Sequence, residues 1–264
     1  MTQTPGDRLS ALRDAAPLVH NITNFVAMNV MANVLLAIGA SPAMVHARVE
    51  VAEFAELAQA LTVNIGTADP EWGAAMEDAA RVMSDHGRPW VLDPVGVAAT
   101  GFRQDLCTRL LAMKPTVVRG NASEILTLAG LGGRAKGVDA GDSVADAEGA
   151  AQDLARRTGG IVAVSGPVDY VTDGARGARV ENGHPLMARI TVMGCSLNGV
   201  IAAFCAGGDA FDATCAALAA YGVAGEAAGR VASGPGSFQP AFLDALAALS
   251  PEDLNAAARI RQAT

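Results

Sequence analysis

The chain alternates between two kinds of segment. Short β-branched or apolar runs end in polar or glycine-rich turns, and each leads into an alanine-rich amphipathic stretch. "PLVHNIT" runs into "NFVAMNVMANVLLAIG", "SPAMVHA" into "VEVAEFAELAQA", and "LTVNIGT" into "DPEWGAAMEDAARVMSDHG". "PWVLDPVG" precedes "FRQDLCTRLLAMK", "TVVRGN" precedes "ASEILTLAG", and "GIVAVSG" follows "SVADAEGAAQDLARRTG". Parallel strands need crossover helices, so this rhythm predicts an α/β fold: a central, mostly parallel sheet flanked by helices on both faces. "DYVTDGARGARVENGHPL" breaks the rhythm and predicts an antiparallel hairpin. After Cys195 the pattern is almost entirely helical to its end, apart from a turn at "SGPGSFQP". No composition shift or repeat divides the chain, so a single domain over residues 1–264 is expected.

The alternation needs a large interior, and the composition supplies one. Hydrophobic residues make up 51% of 264 and aromatic residues only 4%, so Ala, Val, Leu and Ile fill the core. A formal net charge of −8 argues against nucleic acid and anionic membrane as partners, both of which need a basic surface. It does not count against a phosphorylated ligand held by local donors. Cys107, Cys195, Cys205 and Cys215 show neither C-x-x-C pairing nor histidine spacing, which disfavours zinc or a disulfide scaffold. The opening "MTQTPGDRLSALRDAAP" has no apolar core of a secretory signal, and "FVAMNVMANVLLAIGA" is too short for a membrane span. A cytoplasmic location is the resulting expectation.

Ligands of open α/β sheets bind beyond the carboxyl ends of the strands. The polar residues expected there are Asn21, Asn24, His46, Asn64, Thr67, Asp93, Arg119, Asn121, Glu124 and Ser165. Asp93, in "VLDPVG", reads either as a turn-initiating Asp before Pro or as a carboxylate that anchors magnesium. Glu124 stands three residues after Asn121, which is capping-box spacing, and a carboxylate over a helix start also suits a hydrated metal. Arg119 can meet a phosphate or pair with Glu124. There is no G-x-x-x-x-G-K-[ST] loop, no dinucleotide glycine fingerprint, and no histidine spaced to activate a nucleophile.

The remaining corner is "RITVMGCSLNGVIAAFCAGG", Arg189 to Gly208. It reads as a strand that stops at Met193 and turns into a helix of small residues. Gly194 is expected to make the turn with a positive φ, and Cys195 falls in the first helical turn, where free N–H groups favour an anion. The alternative is that Cys195 is a small buried hydrophobe.

In order and spacing, "PLVHNITN" (Pro17 to Asn24), "ASPAMVHA" (Ala40 to Ala47), "NIGT" (Asn64 to Thr67), "LDPVG" (Leu92 to Gly96), "RGNASEI" (Arg119 to Ile125), "KGVDAG" (Lys136 to Gly141) and "GPGSFQ" (Gly234 to Gln239) resemble the hydroxyethylthiazole kinase family. The resemblance implies a ribokinase-like fold and a homotrimer with active sites between subunits. It implies phosphorylation by MgATP of the primary alcohol of hydroxyethylthiazole, in thiamine biosynthesis or salvage. On that resemblance Asp93 and Glu124 organise Mg2+ near the ATP phosphates, and Arg119 and Ser165 contact ATP. Asn24 and Met44 help form the thiazole pocket. Gly194 and Cys195 match the anion hole and catalytic cysteine, with Cys195 expected to position the substrate hydroxyl and take its proton late. The family pattern at this corner is Gly-Ala-Gly-Cys, against Val192-Met193-Gly194-Cys195 here. Val192 stands where a glycine approaches the substrate. Either the backbone never needs a glycine conformation at this point, or the pocket is narrower.

Overall fold

Neighbouring strand residues divide between two interiors. Val91, Val117 and Ala163 enter one hydrophobic cluster, while Leu92, Val118, Val162 and Val164 enter the other. That is the period-two alternation of a sheet covered on both faces, and it explains why the strands read as unbroken apolar runs.

The computed structural model describes residues 3–130 and 144–263. Its strands are β1 (Leu18–Ile22), β2 (Ser41–Ala43), β3 (Ala60–Asn64), β4 (Trp90–Asp93), β5 (Val117–Asn121), β6 (Ile161–Ser165), β7 (Asp169–Thr172), β8 (Gly177–Val180) and β9 (Ile260–Ala263). The first helices are α1 (Pro5–Ala15), α2 (Met28–Ile38), α3 (Val51–Leu57), α4 (Pro70–Asp85), α5 (Gly101–Ala112) and α6 (Ala122–Gly130). Then come α7 (Val144–Thr158), α8 (Met193–Cys205), α9 (Ala210–Val231), α10 (Pro235–Ala248) and α11 (Pro251–Ala257). Among the described residues the strands form one nine-stranded sheet, ordered β2-β1-β3-β4-β5-β6-β7-β8-β9. β1 to β6 pair in parallel, and β7, β8 and β9 extend the sheet antiparallel. Residues of α8, α9 and α10 cover one face, and residues of α4, α5, α6 and α7 cover the other. The expected α/β architecture and hairpin are both present.

Register sets up the site. Asn64 pairs with Asp93 at the ends of β3 and β4, and Asn121 pairs with Ser165 at the ends of β5 and β6. The polar strand ends therefore face one edge.

Three expectations need correction. Arg189 to Met193 is not a strand. A 3-10 turn, Pro185–Arg189, is opened by His184, whose Nδ1 accepts from Leu186 N at 3.2 Å, and α8 begins at Met193. "GPGSFQ" is no free turn either, because Gly234 caps α10 and Pro235 fills its first position, where a missing N–H does no harm. The tail after Ala257 is a strand, β9, paired along β8. "KGVDAG" (Lys136 to Gly141) lies outside the described residues.

Candidate active site

Asparagine carboxamides join the ends of β1, β3 and β4 to the start of α8. Asn24 Nδ2 donates to Asn64 Oδ1 at 2.9 Å and lies 3.4 Å from Cys195 Sγ. Asn64 Nδ2 donates to Asp93 Oδ2 at 2.5 Å and lies 3.3 Å from the same sulfur. Asn198, one helical turn beyond Gly194 on α8, donates to Asp93 Oδ2 at 2.7 Å and to Gly194 O at 3.2 Å. Its Oδ1 is buried without a partner among the described residues. Asn198 escaped the reading of the sequence. The signal was there, a lone carboxamide in a run of small apolar residues.

Asp93 is buried, and burial pushes its carboxyl up to about 7. Arg119 opposes that rise and Glu124 adds to it. The thiol of Cys195 is also raised, first by burial and then by Asp93, against the pull of Asn24 and Asn64. Cys195 is therefore a neutral thiol at pH 7. A thiol that keeps its proton can orient a hydroxyl through its lone pairs.

The turn into α8 differs from expectation in one residue. The left-handed residue is Val192, at φ 74° and ψ −10°, while Gly194 lies within the helix at the second position of its first turn. Of the two alternatives at Val192, the first is overturned, because the backbone does adopt the conformation that glycine favours. A β-branched residue there costs about 1–3 kcal/mol, so its surroundings must hold it. They do. Val192 O accepts from Ser196 N at 2.8 Å and from Ser196 Oγ at 2.9 Å. The hydroxyl of Tyr221 reaches Met193 O at 2.9 Å and Ser196 Oγ at 2.7 Å. At about 0.5–1.5 kcal/mol each, these bonds offset the strain. No side chain caps α8, so the N–H groups of Met193, Gly194 and Cys195 are left for a ligand.

Gly194 is needed for closeness. A Cβ there would stand 2.8 Å from Arg119 Nη1. Arg119 comes from β5, donates from Nη2 to Ser165 Oγ at 2.6 Å, and has a buried Nε without a partner among the described residues. It pairs with Ser165 rather than with Glu124. A guanidinium with an unused donor, packed on an uncapped helix start, has the chemistry to hold anionic oxygens. Glu124 makes the capping box its spacing predicts, accepting from Asn121 N at 2.9 Å while Asn121 Oδ1 accepts from Glu124 N at 3.0 Å. Its other oxygen takes Gly96 N at 3.1 Å, tying the loop after β4 to α6. Met44 follows β2 and packs, half-buried, on the core that α2 and α8 share. His46 lies against the Trp72 ring at 4.5 Å, on the rim of the same edge.

Residues 9–252 match the family model described as the hydroxyethylthiazole kinase family. A hydroxyethylthiazole kinase of Cereibacter sphaeroides is 63% identical over 258 residues, covering 98% of both chains. The solved hydroxyethylthiazole kinase structure from Pyrococcus horikoshii OT3 superposes with a TM-score of 0.92 at 40% identity, over 98% of this chain and 99% of that one. A ribokinase-like superfamily protein of Enterococcus faecalis, at 14% identity and a TM-score of 0.63 over 87% of this chain and 86% of its own, shares the fold alone. The fold is ribokinase-like, and on the family match and the identity over its length this chain belongs to the hydroxyethylthiazole kinase family.

Proposed function

We propose that the protein transfers the γ-phosphoryl group of ATP to the primary alcohol of 4-methyl-5-(2-hydroxyethyl)thiazole, in thiamine biosynthesis or salvage. The observation that carries this is the corner where the uncapped start of α8 meets Cys195 on one side and the unpaired Arg119 Nε on the other. An alcohol held at Cys195 lies next to donors for the phosphate it attacks. Arg119 and Ser165 hold ATP oxygens. The N–H groups of Met193, Gly194 and Cys195 stabilise charge on the transferred group. Cys195 accepts a hydrogen bond from the substrate hydroxyl, with its sulfur oriented by Asn24 and Asn64. As the new O–P bond forms and the β–γ bridge breaks to release ADP, the hydroxyl proton departs late, to an oxygen of the transferred phosphoryl group or to water, and needs no strong base.

A magnesium ion fits Asp93 and Glu124 as an ion that keeps its water. Among the described residues no group of three His, Cys, Asp or Glu side chains could cage a metal. Asp93, however, is a buried carboxyl held high by desolvation, which a nearby divalent cation relieves. Such an ion, held by water, phosphate and these carboxylates, neutralises phosphate charge when bound. Met44 and Val192 line the acceptor side. The assembly is a cytoplasmic homotrimer of single-domain chains, in which a second copy covers exposed Phe25, Val26 and Val49 and completes each site.

A second reading, another small heteroaromatic alcohol as acceptor, is favoured by the bulk of Val192. One experiment separates the readings: ADP release by the purified protein with MgATP, with and without hydroxyethylthiazole, hydroxymethylpyrimidine or pyridoxal. Thiazole-dependent release is expected. Stimulation by a rival alone redirects the substrate, and silence with all three, despite bound nucleotide, leaves a binding protein. Light scattering on the same sample reads the trimer.

A further inference from the structure

Tyr221 sits in the middle of α9, a helix that supplies none of the groups assigned above to substrate or nucleotide. It is buried, with its ring edge-on to Phe242 at 4.7 Å. Its hydroxyl nonetheless reaches across to the first turn of α8. Ser196 Oγ lies 2.9 Å from Val192 O and 3.4 Å from Met193 O, Tyr221 OH lies 2.9 Å from Met193 O and 3.7 Å from Met193 Sδ, and the two hydroxyl oxygens lie 2.7 Å apart. Two hydroxyl protons are shared among these contacts: Ser196 donates to Val192 O or to Tyr221, and Tyr221 donates to Met193 O or to Ser196, so at least one of the carbonyls of Val192 and Met193 is held. The side chain of Val192 is buried yet belongs to neither hydrophobic cluster, and it makes no cap bond. Hydrogen bonds to carbonyls are what the structure offers to hold this residue at φ 74°. If Val192 relaxed to a negative φ, the peptide plane that follows would turn, and the N–H of Met193 would turn with it.

We infer that the Tyr221 and Ser196 hydroxyls hold Val192 in its left-handed conformation and so aim the first-turn N–H groups of α8 at the reacting phosphate, which makes Tyr221 a positioning residue. The inference rests on the kinase reading for its effect on rate, but the clamp itself stands on geometry alone. Glycine takes a positive φ without support, so a glycine at this position has no need of the clamp. That difference makes the proposal testable as a cycle.

The experiment compares wild type, Y221F, V192G and V192G/Y221F for kcat, for KM of each substrate and for thermal midpoint. Y221F is expected to lower kcat about tenfold, with both KM values within about twofold, since the aimed amides act on the transition state. In the V192G background the same substitution is expected to change kcat by less than about threefold. Its drop in midpoint is also expected to be smaller there than in wild type. Equal losses in the two backgrounds overturn the inference, because a hydroxyl that merely stabilised the core would act alike in both. S196A, which deletes the other hydroxyl, serves if Y221F does not fold, with the same expectations. If wild type phosphorylates no thiazole, the kinase reading fails by itself. The midpoint cycle then still decides the clamp.

Discussion

One amide nitrogen, Asn64 Nδ2, stands 2.5 Å from Asp93 Oδ2 and 3.3 Å from Cys195 Sγ. The buried carboxyl and the thiol share a donor, so whatever disturbs one reaches the other. Asn64→Asp replaces that donor with a second carboxylate against Asp93. Loss of kcat by about a hundredfold or more is expected, with destabilisation of about 1–3 kcal/mol from the unpaired groups. Steady-state kinetics and a urea melt measure both, and an N64D protein with wild-type kcat would remove Asn64 from the site.

Gly194→Ala separates stability from nucleotide binding. Alanine is the better helix former, but its Cβ would crowd Arg119 Nη1 at 2.8 Å. The guanidinium is flexible, so it gives way and the fold survives. The expected outcome is a melting free energy within about 1 kcal/mol of wild type together with a KM for ATP raised about tenfold. An unchanged KM would mean that Arg119 does not meet the nucleotide.

Asp169, at the start of β7, is pushed up to about 6, mainly by burial, with Gly166 N and Arg119 pulling it back. Its folded value lies above its unfolded one, so the native state binds the extra proton between pH 4 and 6. Its contribution to stability is full below pH 4 and is lost as pH rises through 6. Compared with Asp169→Asn, the wild type should lose about 1–2 kcal/mol of relative stability over that interval and nothing further above pH 7. Paired melts at pH 4, 5, 6, 7 and 8 read this directly, and parallel curves across the range would contradict it.

Arg103 reaches from α5 into the loops that follow β3 and β4. Its Nη1 donates to Ile65 O and Val95 O, each at 2.9 Å, and its Nη2 to Gly66 O at 2.6 Å. These loops carry the chain just past Asn64 and Asp93. Arg103→Met keeps the length and deletes the donors. It should destabilise the protein by about 2–4 kcal/mol and lower kcat/KM at least about tenfold, since small displacements of strand-end groups are costly. Retained kcat/KM in a destabilised R103M protein would limit Arg103 to a scaffolding role.

The order of strands and helices was legible because a doubly covered parallel sheet writes itself as apolar runs between amphipathic stretches. So were the strand-end polar residues, because turns concentrate them where ligands bind. The corner was not. Ile190, Thr191 and Val192 look like a strand, yet Pro185 starts a 3-10 turn just before them and Val192 itself reverses the chain. No local preference predicts a valine at φ 74°; the carbonyl of the residue after it, Met193, meets the hydroxyl of Tyr221, 28 residues further on. Asn198 was hidden for a similar reason, since its value depends on Asp93 lying across a helix–strand gap of 2.7 Å. The edge strand Ile260–Ala263 carries only a short, half-exposed pattern, and pairing with β8 gives it order. The Gly-Pro-Gly start of α10 was readable in principle, because proline suits a first helical position.

The sheet also works as a bulkhead. Sequence neighbours such as Val91 and Leu92 feed separate interiors, and the first turn of α8 packs into only one of them, through Met193 and Leu197. A methyl group lost or gained beside Leu106 or Met76 changes the other interior, and the strain it creates must cross a layer of hydrogen-bonded backbone before it meets the chemistry. Repacking beside Met193 or Leu197 therefore meets the turn into α8 directly, whereas repacking beside Leu106 or Met76 meets it only across the sheet.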